Sequence, residues 1–254
     1  MKKIFSAIFF SFALIFTLKA QNTISTRIPL PANAVREKAT GFGAFLQKFP
    51  LLPAGSKVKY YNGGESPLES NNGGILDINI GQSDLMQCAD AVMYLRALYL
   101  KSQQKQEHIA FHFVNGMLCE YETYKKGYRF NGKSWSQSAG RVYDDSLFEP
   151  YMRLVFAYSS TLSLEKELTP VNSWANLKVG DCFIRGGSPG HVFIVTDKMQ
   201  SNGKTYFALA QGFMPAQSVH LVKHSGGYWF EAGKSYAHEI AYGELLNLAY
   251  LKSF

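Results

Sequence analysis

LKVGDCFIRGGSPGHVFIVTD, residues 177–197, is the stretch on which the reading of the fold turns. Leu177 to Asp181 reads as a turn into a strand, GGSPG as a tight connection, and His191 to Asp197 as the next strand. SNGK, residues 201–204, sends the chain back into a further strand over Thr205 to Gly212. The stretch is therefore an antiparallel meander. Upstream, Leu85, Ala89, Val92, Leu95 or Arg96, and Tyr99 recur at helical spacing and predict a helix with one inward face. Asp84 is its expected cap, with Gln87 three residues on completing a capping box. Helix first and meander after predict an α+β domain in which the helix packs on an antiparallel sheet.

Outward from this centre the elements are shorter. Residues 27–82 read as short strands and turns, including IPLP, Lys57 to Tyr61 and an alternating Ile75 to Ile80. Ile109, Phe111 and Phe113 alternate in a strand over Ile109 to Val114, and a second helix is expected from Ser146 to Leu168, stopping before Pro170. There is no internal repeat, low-complexity tract or Pro/Ser-rich linker. With 46% hydrophobic and 18% charged residues the chain reads as globular rather than disordered.

The N-terminus predicts export. Lys2 and Lys3 precede an apolar run from Ile4 to Leu18, shorter than the roughly twenty residues needed to span a bilayer, and Ala20 offers a small residue at the cleavage position. Residues 1–20 thus read as a signal peptide, leaving a periplasmic or secreted protein with no later span. Loss of Lys2, Lys3 and Lys19 lowers the formal charge of +7 to a mild surplus. No basic helix, zinc pattern or aromatic RNA-binding signature supports a nucleic-acid partner. Three cysteines in an exported chain leave at least one without an intramolecular partner, and that thiol calls for an explanation.

Cys88 lies in the expected first helical turn, where the helix dipole favours a thiolate. As a bland alternative, Cys88 beside Ala89 is a small residue on an apolar face. His191 starts a strand directly after Gly190, near the sheet's end, where an imidazole can serve a nucleophilic thiol as base. A third polar group should orient that imidazole, and Gln211 is the candidate. Its side depends on the turn. A two-residue Asn202-Gly203 hairpin pairs Gln211 with Ile194 and turns it away from His191; a three-residue loop with a Gly203 bulge pairs it with Phe193, on the face of His191. Oxyanion donors would be the Cys88 N–H and, more weakly, Gln82 or Gln87. His108, His112, His220, His224 and His238 lack metal-site spacing, so neither a metal nor another cofactor is implied.

At this point a resemblance enters. LKVGDCFIRGGSPGHVFIVTD and QCADAV resemble the histidine and nucleophile motifs of CHAP- and NlpC-type enzymes, which are papain-like cysteine peptidases and amidases, many of them acting on peptidoglycan. The resemblance implies Cys88 as nucleophile, His191 as base and Gln211 as orienting residue, on a papain-like core with N-terminal and mid-chain elaborations. Their third position is commonly His, Asn, Asp or Glu, so glutamine departs from the pattern. The mature chain as a whole resembles an exported bacterial family defined only as domain of unknown function 4846. IPLP, ILDINIGQSDLMQCADAVMYLRALYL, GGSPGHVFIVTD and LAQGFMPAQ carry that likeness, which implies a single domain over residues 27–254.

Two functions follow as expectations. The first is a cysteine hydrolase cutting amide bonds in cell-wall peptides, with a peptide or peptidoglycan substrate. The second is a non-catalytic envelope protein binding peptide or glycan on the same scaffold, with the basic and aromatic run Tyr124 to Trp135 as a glycan groove. Cys182 reads as a small core residue or as a disulfide partner of Cys119.

Overall fold

The computed structural model describes residues 22–254; the expected signal peptide lies outside them. The chain forms an α+β structure of six α-helices and a nine-stranded sheet among the described residues. Along the sheet run Asn72–Ile75, His220–Val222, Lys204–Gln211, His191–Ser201, Cys182–Arg185, Leu251–Ser253 and Thr169–Pro170, each antiparallel to its neighbour. Val35–Arg36 joins the far end of the His191 strand, and Phe230–Glu231 joins the Lys204 strand. The expected meander is the middle of this sheet.

Strand alternation divides the core in two. Ile184, Val192, Ile194, Ala208, Ala210 and Leu221 face one layer, with the helices. Phe183, Phe193, Val195, Phe207, Leu209 and Val222 face the other, against the C-terminal loops. The helix Cys88–Ser102 is buried on more than the one face its spacing suggested: Met93, Tyr94 and Leu100 are covered as well as Val92 and Leu95. Besides the sheet it packs against the helices Gly41–Gln47, Phe148–Tyr158 and Thr161–Glu167.

Three expectations are corrected. Asp84 does not cap the central helix, which begins at Cys88 with Gln87 in the extended cap position. The reaching carboxylate is Asp90, whose Oδ2 accepts from the Gln87 N–H at 3.0 Å. The long helix expected over 146–168 is two, Phe148–Tyr158 and Thr161–Glu167. Ser160 is extended between them, and its hydroxyl accepts from the Leu162 N–H, so a preferred N-cap residue outweighs continuation. Gly41–Gln47 is helical where strands and turns were expected. Its two glycines lower intrinsic propensity, but burial of Phe42 and Leu46 holds it. Of the two readings of Cys182, the small core residue holds: it has no exposed surface, and all three cysteines are buried free thiols.

No helix among the described residues is long and apolar enough to cross a membrane.

Candidate active site

Cys88 is the first residue of the central helix, at the point where the helix meets the end of the sheet. The strand that carries His191 begins at that same end. Gly190, just before it, has no room for a side chain: a Cβ there would lie 2.4 Å from Thr161 Oγ1 and 2.5 Å from the Gly187 carbonyl oxygen. The GGSPG connection is thereby clamped to the helix Thr161–Glu167, which sets where His191 starts. Cys88 and His191 line one cleft of about 310 Å³, with Asp90, Phe156, Phe213 and Tyr242 among its walls. Tyr242 stacks on the imidazole at 4.5 Å and Phe213 lies 5.2 Å away.

Gln211 stands behind the imidazole. His191 Nε2 and Gln211 Oε1 are 2.8 Å apart. The hairpin that delivers Gln211 is the two-residue kind, with Ser201 opposite Lys204 and positive φ at Asn202 and Gly203. That turn alone would place Gln211 opposite Ile194, on the wrong face. The register is corrected farther along by a β-bulge: Ala208 pairs with Asp197 but Leu209 pairs with Val195, so Thr196 is the extra residue. Gln211 then falls on the face of Phe193 and His191. The bulge expected at the turn sits instead within the strand, where buried Thr196 donates its hydroxyl to the Ala208 carbonyl at 3.3 Å.

Beyond Gln211, on the next strand, is His220, which sequence reasoning set aside. It is directly opposite Gln211. Its Nε2 is 3.2 Å from the Gln211 amide nitrogen, and its Nδ1 is 3.0 Å from the Ser218 carbonyl oxygen. Three adjacent strands therefore present a row of side chains, each in hydrogen-bond contact with the next. The available signal was the alternation Ser218, His220, Val222 in a short strand beside Gln211.

The charges are not those expected of an activated thiol. Burial pushes the Cys88 thiol up to about 11, and the Asp90 carboxyl adds to the rise. Backbone N–H groups of Ala89, Val192 and Cys88 itself pull the other way and are outweighed. The expected thiolate at the helix N-terminus is therefore corrected: desolvation of a thiol that is 8% exposed exceeds the helix dipole. His191 is lowered to about 4, chiefly by burial, while the Gln211 hydrogen bond opposes the shift. Asp90 is itself raised to about 8 by burial. At neutral pH the cleft holds a thiol, an imidazole and a largely protonated carboxyl, all uncharged.

The other expected residues are dispersed. Gln87 lines the cleft, but its amide nitrogen is engaged by Asp84 Oδ1 at 3.0 Å. Gln82 is exposed and does not line the cleft. His112 meets Glu167, and His224 meets Glu239, both away from the cleft. The run Tyr124 to Trp135 does not form an open groove. Arg129 lies over Tyr124 at 3.9 Å, and Phe130 and Trp135 pack with Phe113.

A family model described as domain of unknown function (4846) matches residues 24–244. No curated protein and no solved structure shows a significant match. The chain belongs to that family.

Proposed function

We propose that this family member is an exported cysteine hydrolase of papain-like architecture, a single domain over residues 27–254, cutting amide bonds of cell-wall peptides. The observation that carries the reading is the cleft in which Cys88, at the first residue of a helix, and His191, backed by Gln211 at 2.8 Å, come together. A thiol, a base and an orienting amide in one concave site are the parts that acyl transfer requires.

Because the resting pair is neutral, the proton moves during attack rather than before it. The substrate carbonyl carbon takes the Cys88 sulfur while the thiol proton passes to His191. The Cys88 N–H, at the free end of the helix, faces the developing oxyanion. The imidazolium, held by the Gln211 carbonyl oxygen, returns its proton to the leaving amine, and water then cleaves the thioester by the same route. Among the ionisable residues lining the cleft are acids and His191 but no lysine or arginine, which suits a neutral or cationic peptide segment.

One observation favours a second reading, a non-catalytic envelope protein that binds peptide or glycan. The thiol at about 11 and the imidazole at about 4 leave no ion pair at rest, as in a cleft relieved of chemistry.

Digestion of purified peptidoglycan by the mature protein and by Cys88→Ala, with soluble fragments read by mass spectrometry, separates the two. New fragments from the wild type alone are expected, and their ends identify the bond. Release by neither protein, with wall fragments retained on both, would overturn the hydrolase reading and support the binder.

A further inference from the structure

The row His191, Gln211 and His220 ends on a group whose hydrogen-bonding role is fixed. The Ser218 carbonyl can only accept, so His220 Nδ1, 3.0 Å away, carries a proton. His220 has no exposed surface, and burial lowers its affinity for a second proton. Its Nε2 is therefore a bare acceptor. The neighbour at 3.2 Å must be the amide N–H of Gln211, which leaves the amide oxygen facing His191. An oxygen only accepts, so His191 Nε2 is the protonated nitrogen and Nδ1 bears the lone pair. Among the described residues the hydrogen bond to Gln211 is the only one that the His191 ring makes.

We infer that His220 is a positioning residue. By accepting from the Gln211 amide it sets which way that amide points, and so holds His191 in the Nε2–H form with Nδ1 unprotonated. A glutamine by itself cannot do this. Its two ends are nearly the same shape, and a flipped amide would donate to His191 Nε2 and force the proton onto Nδ1, the nitrogen that must be free to act as base. Behind Gln211 the group that fixes the amide is His220 on the next strand, and ultimately a main-chain oxygen that no rotation can reverse. The inference rests on the hydrolase reading for its purpose, but not for its measurement.

The test uses the full mature protein with 15N-labelled histidine at pH 7, where long-range proton–nitrogen correlations assign each neutral tautomer. Wild type is expected to show His191 as Nε2–H and His220 as Nδ1–H. In His220→Phe, which fills similar volume without an acceptor, the Nδ1–H fraction of His191 should rise about tenfold, the ratio an ordinary net hydrogen bond sets. His220→Gln, which returns an acceptor, should reverse most of that rise. An unchanged His191 tautomer in folded His220→Phe overturns the inference, as does an Nδ1–H form of His191 in the wild type, even if the variant fails to fold. If the tautomers behave as expected but peptidoglycan stays intact, the hydrolase reading fails and the positioning role of His220 stands.

Discussion

Cys88 and Asp90 occupy the first and third positions of one helix, and the second governs the first. The Asp90 carboxyl raises the Cys88 thiol, next after burial among the causes. Asn at position 90 can still accept from the Gln87 N–H, but it carries no charge above pH 8. Asp90→Asn is therefore expected to speed Cys88 alkylation by iodoacetamide at pH 9, read by mass spectrometry of the labelled peptide. An equal or slower rate would show that burial alone sets the thiol. His191 makes a second prediction. Its folded value near 4, against the usual 6.5, means that both states are neutral above pH 6.5. Between the two values only the unfolded chain binds the proton, so stability falls as pH falls through that window. The loss is at most about 3 kcal/mol for this residue. Urea midpoints measured from pH 7 to 4.5 should drop less in His191→Gln than in wild type; parallel curves would contradict the shift.

At the scale of elements, the Thr196 bulge decides whether His191 and Gln211 meet. A strand's side chains alternate, so one residue more or less exchanges its two faces. With Thr196 present, Gln211 shares a face with His191 and His220, while Ala208 and Ala210 face the Cys88 helix. Deletion of Thr196, the extra residue, leaves Asp197 opposite Ala208 and Val195 opposite Leu209 in an unbroken ladder. The expected outcome is a folded protein that keeps the His191–Gln211 contact, at a cost on urea denaturation of about the one hydrogen bond from Thr196 to the Ala208 carbonyl. Loss of that contact in the folded variant would show that the bulge does more than set the register.

Across the whole molecule, the far end of the His191 strand is tied to the N-terminal segment. Asp197, with no exposed surface, accepts from Arg36 Nε at 2.7 Å and from Gln47 Nε2 at 2.8 Å. These bonds fasten Val35–Arg36 and the helix Gly41–Gln47 across one strand, whose other end starts at His191. Asp197→Ala takes one acceptor from a half-buried guanidinium, which keeps the Ile28 carbonyl, and one from a buried amide, which keeps the Glu37 carbonyl. It should cost about 3 kcal/mol in chemical denaturation. A loss below about 1 kcal/mol would mark the tie as incidental.

Much of this was legible in the residues themselves. The α+β class, the central helix, the meander and the positions of Cys88, His191 and Gln211 followed from local signals: hydrophobic period, turn chemistry, and a cysteine and a histidine each next to a structural break. Such signals are written within a few residues of where they act. The rest depended on distant chains. The helix's true start needed Asp90 to beat Asp84 for the Gln87 N–H. The side of Gln211 needed a bulge that no turn residue announces, and His220 needed two strands to be laid beside the first. The charge state was settled only by burial, because a helix terminus favours a thiolate in any sequence, whereas desolvation depends on how many other residues close over it. What the sequence by itself determined was which groups were chemically able to act. Tertiary structure alone decided which of them meet and on which face.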